Sequence, residues 1–186
     1  MTKIAIIGLA PSAKDVPDDW EWWGLPWDAR RAVHCDRLFE MHDERLIFNP
    51  EYGRRDDYRD YLSEMIVPIY MQRHHDDIPM SVEYPFEDVE DVFGGVAAHQ
   101  RYGSMISYML AMAIIEEPAA IGLWGVDLID DFDHERPNIA YLLGVASGRY
   151  IDVALPSGNT ILERRSENNF NGHFVSYPGR YGYLEH

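Results

Sequence analysis

The feature that most constrains the fold is a short apolar strand near the amino terminus that leads straight into a turn of small residues. Residues 3–7 read Lys-Ile-Ala-Ile-Ile, and residues 8–12 read Gly-Leu-Ala-Pro-Ser. A run rich in β-branched residues is typical of a strand buried on both faces of a parallel sheet. Small residues at its carboxyl end let backbone N–H groups approach an anion closely. The opening residues therefore predict an α/β domain that binds a nucleotide or a phosphate.

Strand and helix patterns alternate along the rest of the chain. Strands are predicted at 3–8, 20–25, 37–42, 66–71, 119–128 and 150–155. Helices are predicted at 56–65, 87–93, 104–116 and 135–147, with a further helix start near Asp28. Gly148 is expected to end the last helix at its C′ position. The alternation predicts a Rossmann-like three-layer α/β domain with a mostly parallel sheet of about six strands.

Length and apolar content fit one globular domain. We expect a single α/β domain over residues 1–183, and residues 184–186 look like the stub of a purification tag. No apolar run reaches the roughly 18 residues of a membrane span, and no signal-peptide pattern opens the chain. The single cysteine, Cys35, excludes an intrachain disulfide and is typical of a reducing compartment. We therefore expect a cytoplasmic protein with no membrane partner.

The charge balance narrows the partners. With 16 basic and 32 acidic side chains, the formal net charge is −16, which disfavours a general electrostatic grip on nucleic acid. An anion site in this chain must be local, built from backbone N–H groups and a few arginines. The alternative is a non-catalytic acidic protein that binds or inhibits a host protein by mimicking DNA.

Two predicted turns offer backbone donors to a phosphate. The first follows the opening strand and contains Gly8, Pro11 and Ser12. The second is the entry to the helix at 104–116, where Arg101, Gly103 and Ser104 precede an apolar run. Unpaired N–H groups and the positive dipole end make a helix start suitable for an anion. The alternative reading is that Ser12 and Ser104 only cap their own backbone.

Candidate catalytic groups follow two other predicted strands. Asp127 lies at the carboxyl end of the strand at 119–128, where an acidic cluster begins. Gly125 leaves room for a ligand beside the backbone, and Arg136 offers a bidentate partner for a phosphate. His42 closes the strand at 37–42 and is a candidate general base. The non-functional alternative for Asp127 is a solvated acidic loop. For His42 it is an ordinary polar residue at a strand end.

The sequence says less about metal binding and about the role of residues 73–100. No residue is assigned to a metal, since the chain has neither HExxH nor paired CxxC motifs. Binding of a divalent ion by Asp127 and Asp130 is kept as an alternative, and the sequence indicates no other cofactor. Residues 73–100, polar and broken by Gly94-Gly95, are either a lid over the pocket or an ordered surface connection.

Several strings in the chain carry a resemblance to known families. They are Ile-Ile-Gly-Leu-Ala-Pro-Ser at 6–12, Trp-Gly-Leu at 23–25, Asp-Arg-Leu-Phe-Glu-Met-His at 36–42, Ile-Gly-Leu-Trp-Gly-Val-Asp at 121–127 and Tyr-Leu-Leu-Gly-Val-Ala-Ser-Gly-Arg at 141–149. They resemble a family of small Rossmann-like proteins from tailed phages and prophages. More remotely, the turn at 8–12 is similar to the nucleotide-binding start of bacterial sialyltransferases and archaeal pterin pyrophosphokinases, which usually read Gly-Asn-Gly-Pro-Ser. That similarity implies nucleotide contacts at Gly8, Pro11 and Ser12.

The sequence therefore predicts a nucleotide or nucleotide-sugar binding protein that transfers a glycosyl or phosphoryl group, and the resemblance implies that it is encoded by a phage. A small nucleotide-type molecule is its expected ligand. Hydrolysis or salvage of a nucleotide by the same site is a second enzymatic reading. The predicted base is Asp127 or His42. The predicted ligand contacts are Gly8, Pro11, Ser12, Arg101, Gly103, Ser104, Gly125 and Arg136.

Overall fold

The computed structural model describes residues 1–10, 13–26, 34–48, 57–93, 104–127, 135–157 and 159–162. Within them the strands are β1 Lys3–Ile7, β2 Glu21–Gly24, β3 Arg37–Glu40, β4 Ile69–Met71, β5 Ser81–Glu83, β6 Ala120–Trp124 and β7 Asp152–Ala154. The helices are α1 Glu44–Ile47, α2 Tyr58–Ser63, α3 Phe86–Phe93, α4 Met105–Ile115 and α5 Arg136–Gly148. The expected helix start near Asp28 lies outside the described residues.

All seven strands belong to one sheet in the order β5-β4-β3-β2-β1-β6-β7, and every neighbouring pair is parallel. The chain builds outward from β1 to β5 and then returns to place β6 on the other side of β1. The strand order therefore reverses between β1 and β6, which makes their carboxyl ends the switch point where open α/β sheets bind ligands. The predicted parallel α/β fold is confirmed, with seven strands in place of about six.

Two apolar clusters lie on the two faces of the sheet. Successive strand residues point to opposite faces, and in β3 Leu38 belongs to one cluster while Phe39 belongs to the other. Helices α3, α4 and α5 contribute to the larger cluster, and α2 contributes Tyr58 and Leu62 to the smaller one. The sheet thus lies between helices on both faces, as in a three-layer domain.

Helix α4 is apolar on all sides because it is covered on all sides. It contacts β1 and β3 of the sheet and both neighbouring helices, α3 and α5. Eight of its eleven residues are buried, so the buried helix predicted at 104–116 is confirmed. Because α4 returns toward the start of β6, its amino terminus lies at the edge where the strands end.

Strand β5 was not predicted. It has three residues, and its pattern of one buried and two exposed side chains gives almost no alternation to detect. It forms by pairing with β4 at the edge of the sheet, Ile69 opposite Ser81 and Met71 opposite Glu83. Residues 81–93 therefore belong to the sheet and its helical cover, while 94–100 lie outside the described residues.

The end of α5 corrects the prediction that Gly148 occupies C′. Gly148 is the last helical residue, Arg149 is the C-cap, and Tyr150 takes the left-handed C′ position with φ of 63°. Ile151 N–H closes the motif on the Ala146 carbonyl at 3.0 Å, the pattern of a Schellman motif. Ile151 is buried in the same apolar cluster as Ala146. Burial of this side chain sets the end of the helix two residues beyond the position that glycine alone suggests.

No helix in the described ranges is long and apolar enough to span a membrane.

Candidate functional site

The carboxyl ends of β1 and β6 meet backbone to backbone. Gly8 N–H donates to the Trp124 carbonyl at 2.7 Å, and Ala10 N–H donates to the Gly125 carbonyl at 3.0 Å. A Cβ on Gly8 would overlap the Gly125 carbonyl, and a Cβ on Gly125, whose φ is +68°, would lie 2.6 Å from the Gly8 carbonyl oxygen. Both glycines are therefore required by the packing of the two turns. The structure brings these predicted site residues together at the switch point.

A short segment, residues 159–162, crosses the end of β6, and we call it the C-terminal strap. The Asn159 side-chain amide donates to the carbonyls of Leu123 and Val126, both at 3.3 Å. The Thr160 hydroxyl donates to the Asp127 carbonyl at 2.6 Å. Asp127 lies three residues beyond β6 and is only 6% exposed. The strap therefore fixes the backbone at the position where the sequence predicts a catalytic carboxylate.

Arg136 holds the strap from the first residue of α5. Its guanidinium donates to the carbonyls of Thr160 and Ile161, the latter at 2.7 Å. This gives Arg136 an anchoring role that the sequence did not suggest. Contact with a phosphate stays a prediction.

Ser104 caps α4 and lies near the end of β3. Its side chain accepts a hydrogen bond from Ser107 N–H at 3.2 Å, as expected of an N-cap serine. The next residue, Met105, contacts the residue after β3, because its sulfur accepts from Met41 N–H at 3.2 Å. The start of α4 therefore lies beside the carboxyl end of β3. Pro11, Ser12, Arg101 and Gly103 lie outside the described residues, so their predicted contacts stay predictions.

A buried carboxylate at the end of β3 organises the predicted base. Glu40 is 0% exposed, and its two oxygens face two partners. His42 Nδ1 lies 2.6 Å from one oxygen, and the Tyr58 hydroxyl of α2 donates to the other in a short hydrogen bond. Burying a carboxylate is costly without such partners. With its proton on Nδ1, His42 carries its lone pair on Nε2, the arrangement of an oriented general base.

His42 lines a cleft of about 260 Å³ at the ends of β3 and β4. Two ion pairs edge this cleft. Arg45 binds Asp43 through two nitrogens, at 2.9 Å and 2.5 Å, and Arg73 donates to both oxygens of Glu44. The hydrogen bond from Arg45 lowers the pKa of Asp43 to about 2, and the one from Arg73 lowers the pKa of Glu44. Both carboxyl groups are therefore ionised at neutral pH.

Gln72 and His75 also line the cleft. Gln72 donates its side-chain amide to the Met41 carbonyl at 2.8 Å, which ties β4 to the end of β3. The His75 side chain is only 7% exposed and lies edge-on to the Phe48 ring. Burial lowers the pKa of His75, so its imidazole is neutral at pH 7 and offers hydrogen bonds in place of charge.

The described residues contain no group of three or more His, Cys, Asp or Glu side chains placed to hold a metal ion. The His74 imidazole has a main-chain partner, since its Nδ1 lies 2.8 Å from the Ser81 carbonyl oxygen. Asp130 lies outside the described residues, so a divalent ion shared between Asp127 and Asp130 stays a prediction.

Sequence reasoning missed Tyr58, Gln72, Arg73 and His75 as parts of a site. Tyr58 lies in the helix predicted at 56–65, and its hydroxyl reaches Glu40, 18 residues away in sequence, only in the folded chain. One signal was available. Glu40 is a charged residue that follows Leu38 and Phe39 in a strand, and a carboxylate buried there needs a partner.

Comparison with known proteins gives a fold likeness. No family model and no curated protein sequence matches the chain. Among solved structures, the chain is similar to the sialyltransferase CstII from Campylobacter jejuni in complex with cytidine-5'-monophosphate, with a TM-score of 0.51 and 16% identity over 86% of this chain and 81% of that one. The same enzyme in complex with CMP-3FNeuAc matches with a TM-score of 0.48 and 16% identity over 83% and 80% of the two chains. At this identity the likeness shows a shared Rossmann-like fold.

Proposed function

We propose that the chain binds a nucleotide or nucleotide sugar at the β1–β6 switch point and transfers its glycosyl group to a small acceptor. One observation carries the proposal: the turns after β1 and β6 meet through their glycines, Gly8 and Gly125, where a parallel sheet presents its ligand crevice. The similar fold of a sialyltransferase solved in complex with cytidine-5'-monophosphate supports a cytidine nucleotide as the first ligand to test.

The phosphate contacts would come from backbone donors and a few side chains. A chain with a formal charge of −16 repels anions at long range, so a phosphate needs close N–H donors and local cations. The residues that we propose to surround the phosphate are Gly8, Pro11, Ser12, Arg101, Gly103, Ser104, Gly125 and Arg136. The Gly8 N–H already donates to the Trp124 carbonyl and Pro11 has no N–H, so these two would allow close approach and the other residues would supply the donors.

His42 would act as the general base. An acceptor hydroxyl that attacks the anomeric carbon must lose its proton as the bond from that carbon to the phosphate oxygen breaks, and the nucleotide leaves with the bonding electron pair. His42 Nε2 would accept the proton. Glu40 fixes the ring and stabilises the imidazolium that forms, as a buried carboxylate does in other histidine-based sites. Asp127 is the alternative base.

Calorimetric titration with CMP, CMP-linked sugars, UMP and AMP, with and without Mg²⁺, tests the proposal. We expect CMP to bind and to raise the unfolding free energy by about 2.7 kcal/mol at a hundredfold excess over Kd. His42→Gln should keep CMP binding and lose turnover, while Asp127→Asn should weaken binding or turnover. Gly144→Ala is the matched control, because nothing lies within 4 Å of a Cβ there. Absence of binding by every nucleotide would refute the proposal.

Phosphoryl transfer, nucleotide hydrolysis and a phage origin stay predictions. So does the DNA-mimic alternative. A mimic would capture a DNA-binding protein in competition with duplex DNA and would ignore CMP, so the same titration separates the two classes.

A further inference from the structure

We propose that the cleft at the ends of β3 and β4 is a separate subsite for a small polyhydroxy carboxylate. Its carboxylate would face Arg73 and Arg45, and one of its hydroxyls would face His42. The binding claim goes beyond the proposed function and does not need a nucleotide; only the role of the occupant as the second substrate rests on that function.

Position separates this cleft from the nucleotide crevice. The crevice lies at β1 and β6, whereas β3 is two strands away from β1 in the sheet. Neighbouring strands are spaced about 4.8 Å, so the nearest strands of the two places, β1 and β3, are about 10 Å apart. A nucleotide phosphate held at the β1–β6 turns therefore leaves the β3–β4 cleft to another group.

Size selects a small occupant. The cleft measures about 260 Å³, which is below the range of about 300–1,000 Å³ found for pockets that hold drug-sized ligands. That volume suits a single sugar-sized molecule. A complete nucleoside monophosphate would need more room.

Charge selects a singly charged occupant. Arg45 and Arg73 are the cations of the cleft, and Asp43 and Glu44 compensate them. The Arg45–Asp43 pair engages Nε and Nη2 of the arginine, and a guanidinium carries five N–H donors in all. The arginines can therefore donate to a second carboxylate without losing the first. Because the paired acids bring the local charge near zero, a dianion such as phosphate is disfavoured.

Neutral donors and acceptors select hydroxyl groups. His42 Nε2 is oriented by Glu40, and the neutral imidazole of His75 lines the same cleft. Gln72 is fixed through its amide nitrogen on the Met41 carbonyl, which leaves its side-chain oxygen as an acceptor along the wall. Two imidazoles and an amide beside two guanidinium groups match a ligand with both hydroxyls and a carboxylate.

Titration of the full chain with gluconate, followed by NMR and calorimetry, tests this inference. Sorbitol is the matched probe, because it has the same carbon chain with a neutral CH2OH group in place of the carboxylate. We expect gluconate to bind about tenfold more tightly than sorbitol, the effect of one charge-assisted hydrogen bond of about 1.4 kcal/mol. Arg73→Gln and, separately, Arg45→Gln should each remove much of that difference. Arg149→Gln, an exposed site on the end of α5, should change nothing.

Three results would overturn the inference: equal binding of gluconate and sorbitol, binding that survives both arginine variants, or inorganic phosphate binding as tightly as gluconate. Both arginine pairs are exposed, so the variants should fold, and their melting curves check this. CMP titration of the same samples keeps the two proposals apart. CMP binding without gluconate binding refutes only this subsite. Gluconate binding in samples that bind none of the nucleotides tested refutes only the proposed nucleotide function.

Discussion

The sheet edge formed by the carboxyl ends of the strands is built differently at β1 and β6 than at β3 and β4. At β1 and β6 the contacts are between main chains, and Gly8 and Gly125 are needed because no Cβ fits between the turns. At β3 and β4 the contacts are between side chains, with Glu40, His42 and Tyr58 linked behind an open cleft. A backbone site has a rigid shape and little sequence signature beyond glycine. A side-chain site carries charge and proton chemistry and depends on distant residues.

Glycine substitutions at the switch point should have the largest effect. Gly8→Ala places a methyl group against the Gly125 carbonyl, and Gly125→Ala adds the cost of a left-handed backbone. We expect each to lower the unfolding free energy by about 3 kcal/mol, from overpacking against immobile backbone. Urea denaturation measures this, with Gly144→Ala as control. A loss below about 0.5 kcal/mol, the scale of an ordinary surface change, would show that the two turns separate easily.

Tyr58→Phe should have the next largest effect and tests the side-chain end. The change removes a donor from the buried Glu40 carboxylate, and we expect a loss of about 2 kcal/mol because a buried acceptor is left short of a partner. Tyr61→Phe is the matched control on the same helix. Tyr61 is half-buried and its hydroxyl donates to the Pro26 carbonyl at 2.7 Å, so about 1 kcal/mol should be lost. Equal losses would mean that Glu40 is not dependent on Tyr58.

Acid should weaken the side-chain end in two stages. Burial lowers the pKa of His75 in the folded chain. As the pH falls, His75 is therefore protonated in the unfolded chain before it is protonated in the folded chain. The contribution of His75 to the unfolding free energy is present above pH 6.5. It declines as the pH falls, with a slope of at most about 1.4 kcal/mol per pH unit. The groups that face it are Glu44, Arg59, Arg73 and Asp77. His75→Gln should flatten this limb in denaturation curves from pH 7 to pH 5.

A second stage should follow between about pH 4 and pH 2. The Asp43 carboxyl, bound by Arg45, and the Asp77 carboxyl, bound by Arg59, both have a pKa lowered to about 2. Their stabilisation is complete above the unfolded pKa and is lost as pH falls through the folded pKa. An unchanged slope in His75→Gln between pH 7 and pH 5 would show that another group controls the first stage.

Gly148→Ala should have the smallest effect and shows where glycine is not required. Gly148 is helical and nothing lies within 4 Å of a Cβ there, so alanine should raise stability by about 0.5 kcal/mol. Tyr150→Gly should also be stabilising, since Tyr150 holds the left-handed position. Thermal unfolding measures both. Destabilisation by Gly148→Ala would show that the helix ends at Gly148. Gly148 would then be required by the fold, as Gly8 and Gly125 are.

Much of the fold was predictable because local pattern and burial agreed. The β-branched run at 3–7 can be buried on both faces only inside a parallel sheet, and the all-round apolar run at 105–115 only beneath other elements. Strand β5 was not predictable in this way. Its Ser-Val-Glu sequence becomes a strand only because β4 offers an unpaired edge beside it.

The sequence by itself determined a parallel α/β domain, the places where strands end and the residue types that stand there, including Gly8, Gly125, His42 and Asp127. These follow from hydrophobic periodicity and turn chemistry, which act over a few neighbouring residues. Only the tertiary structure decided that Tyr58 completes the Glu40–His42 pair, that Arg136 and the strap cover the end of β6, and that Gly148 does not end α5. Each of these depends on groups far apart in sequence that come together when apolar side chains are buried, and short-range pattern carries no record of such contacts.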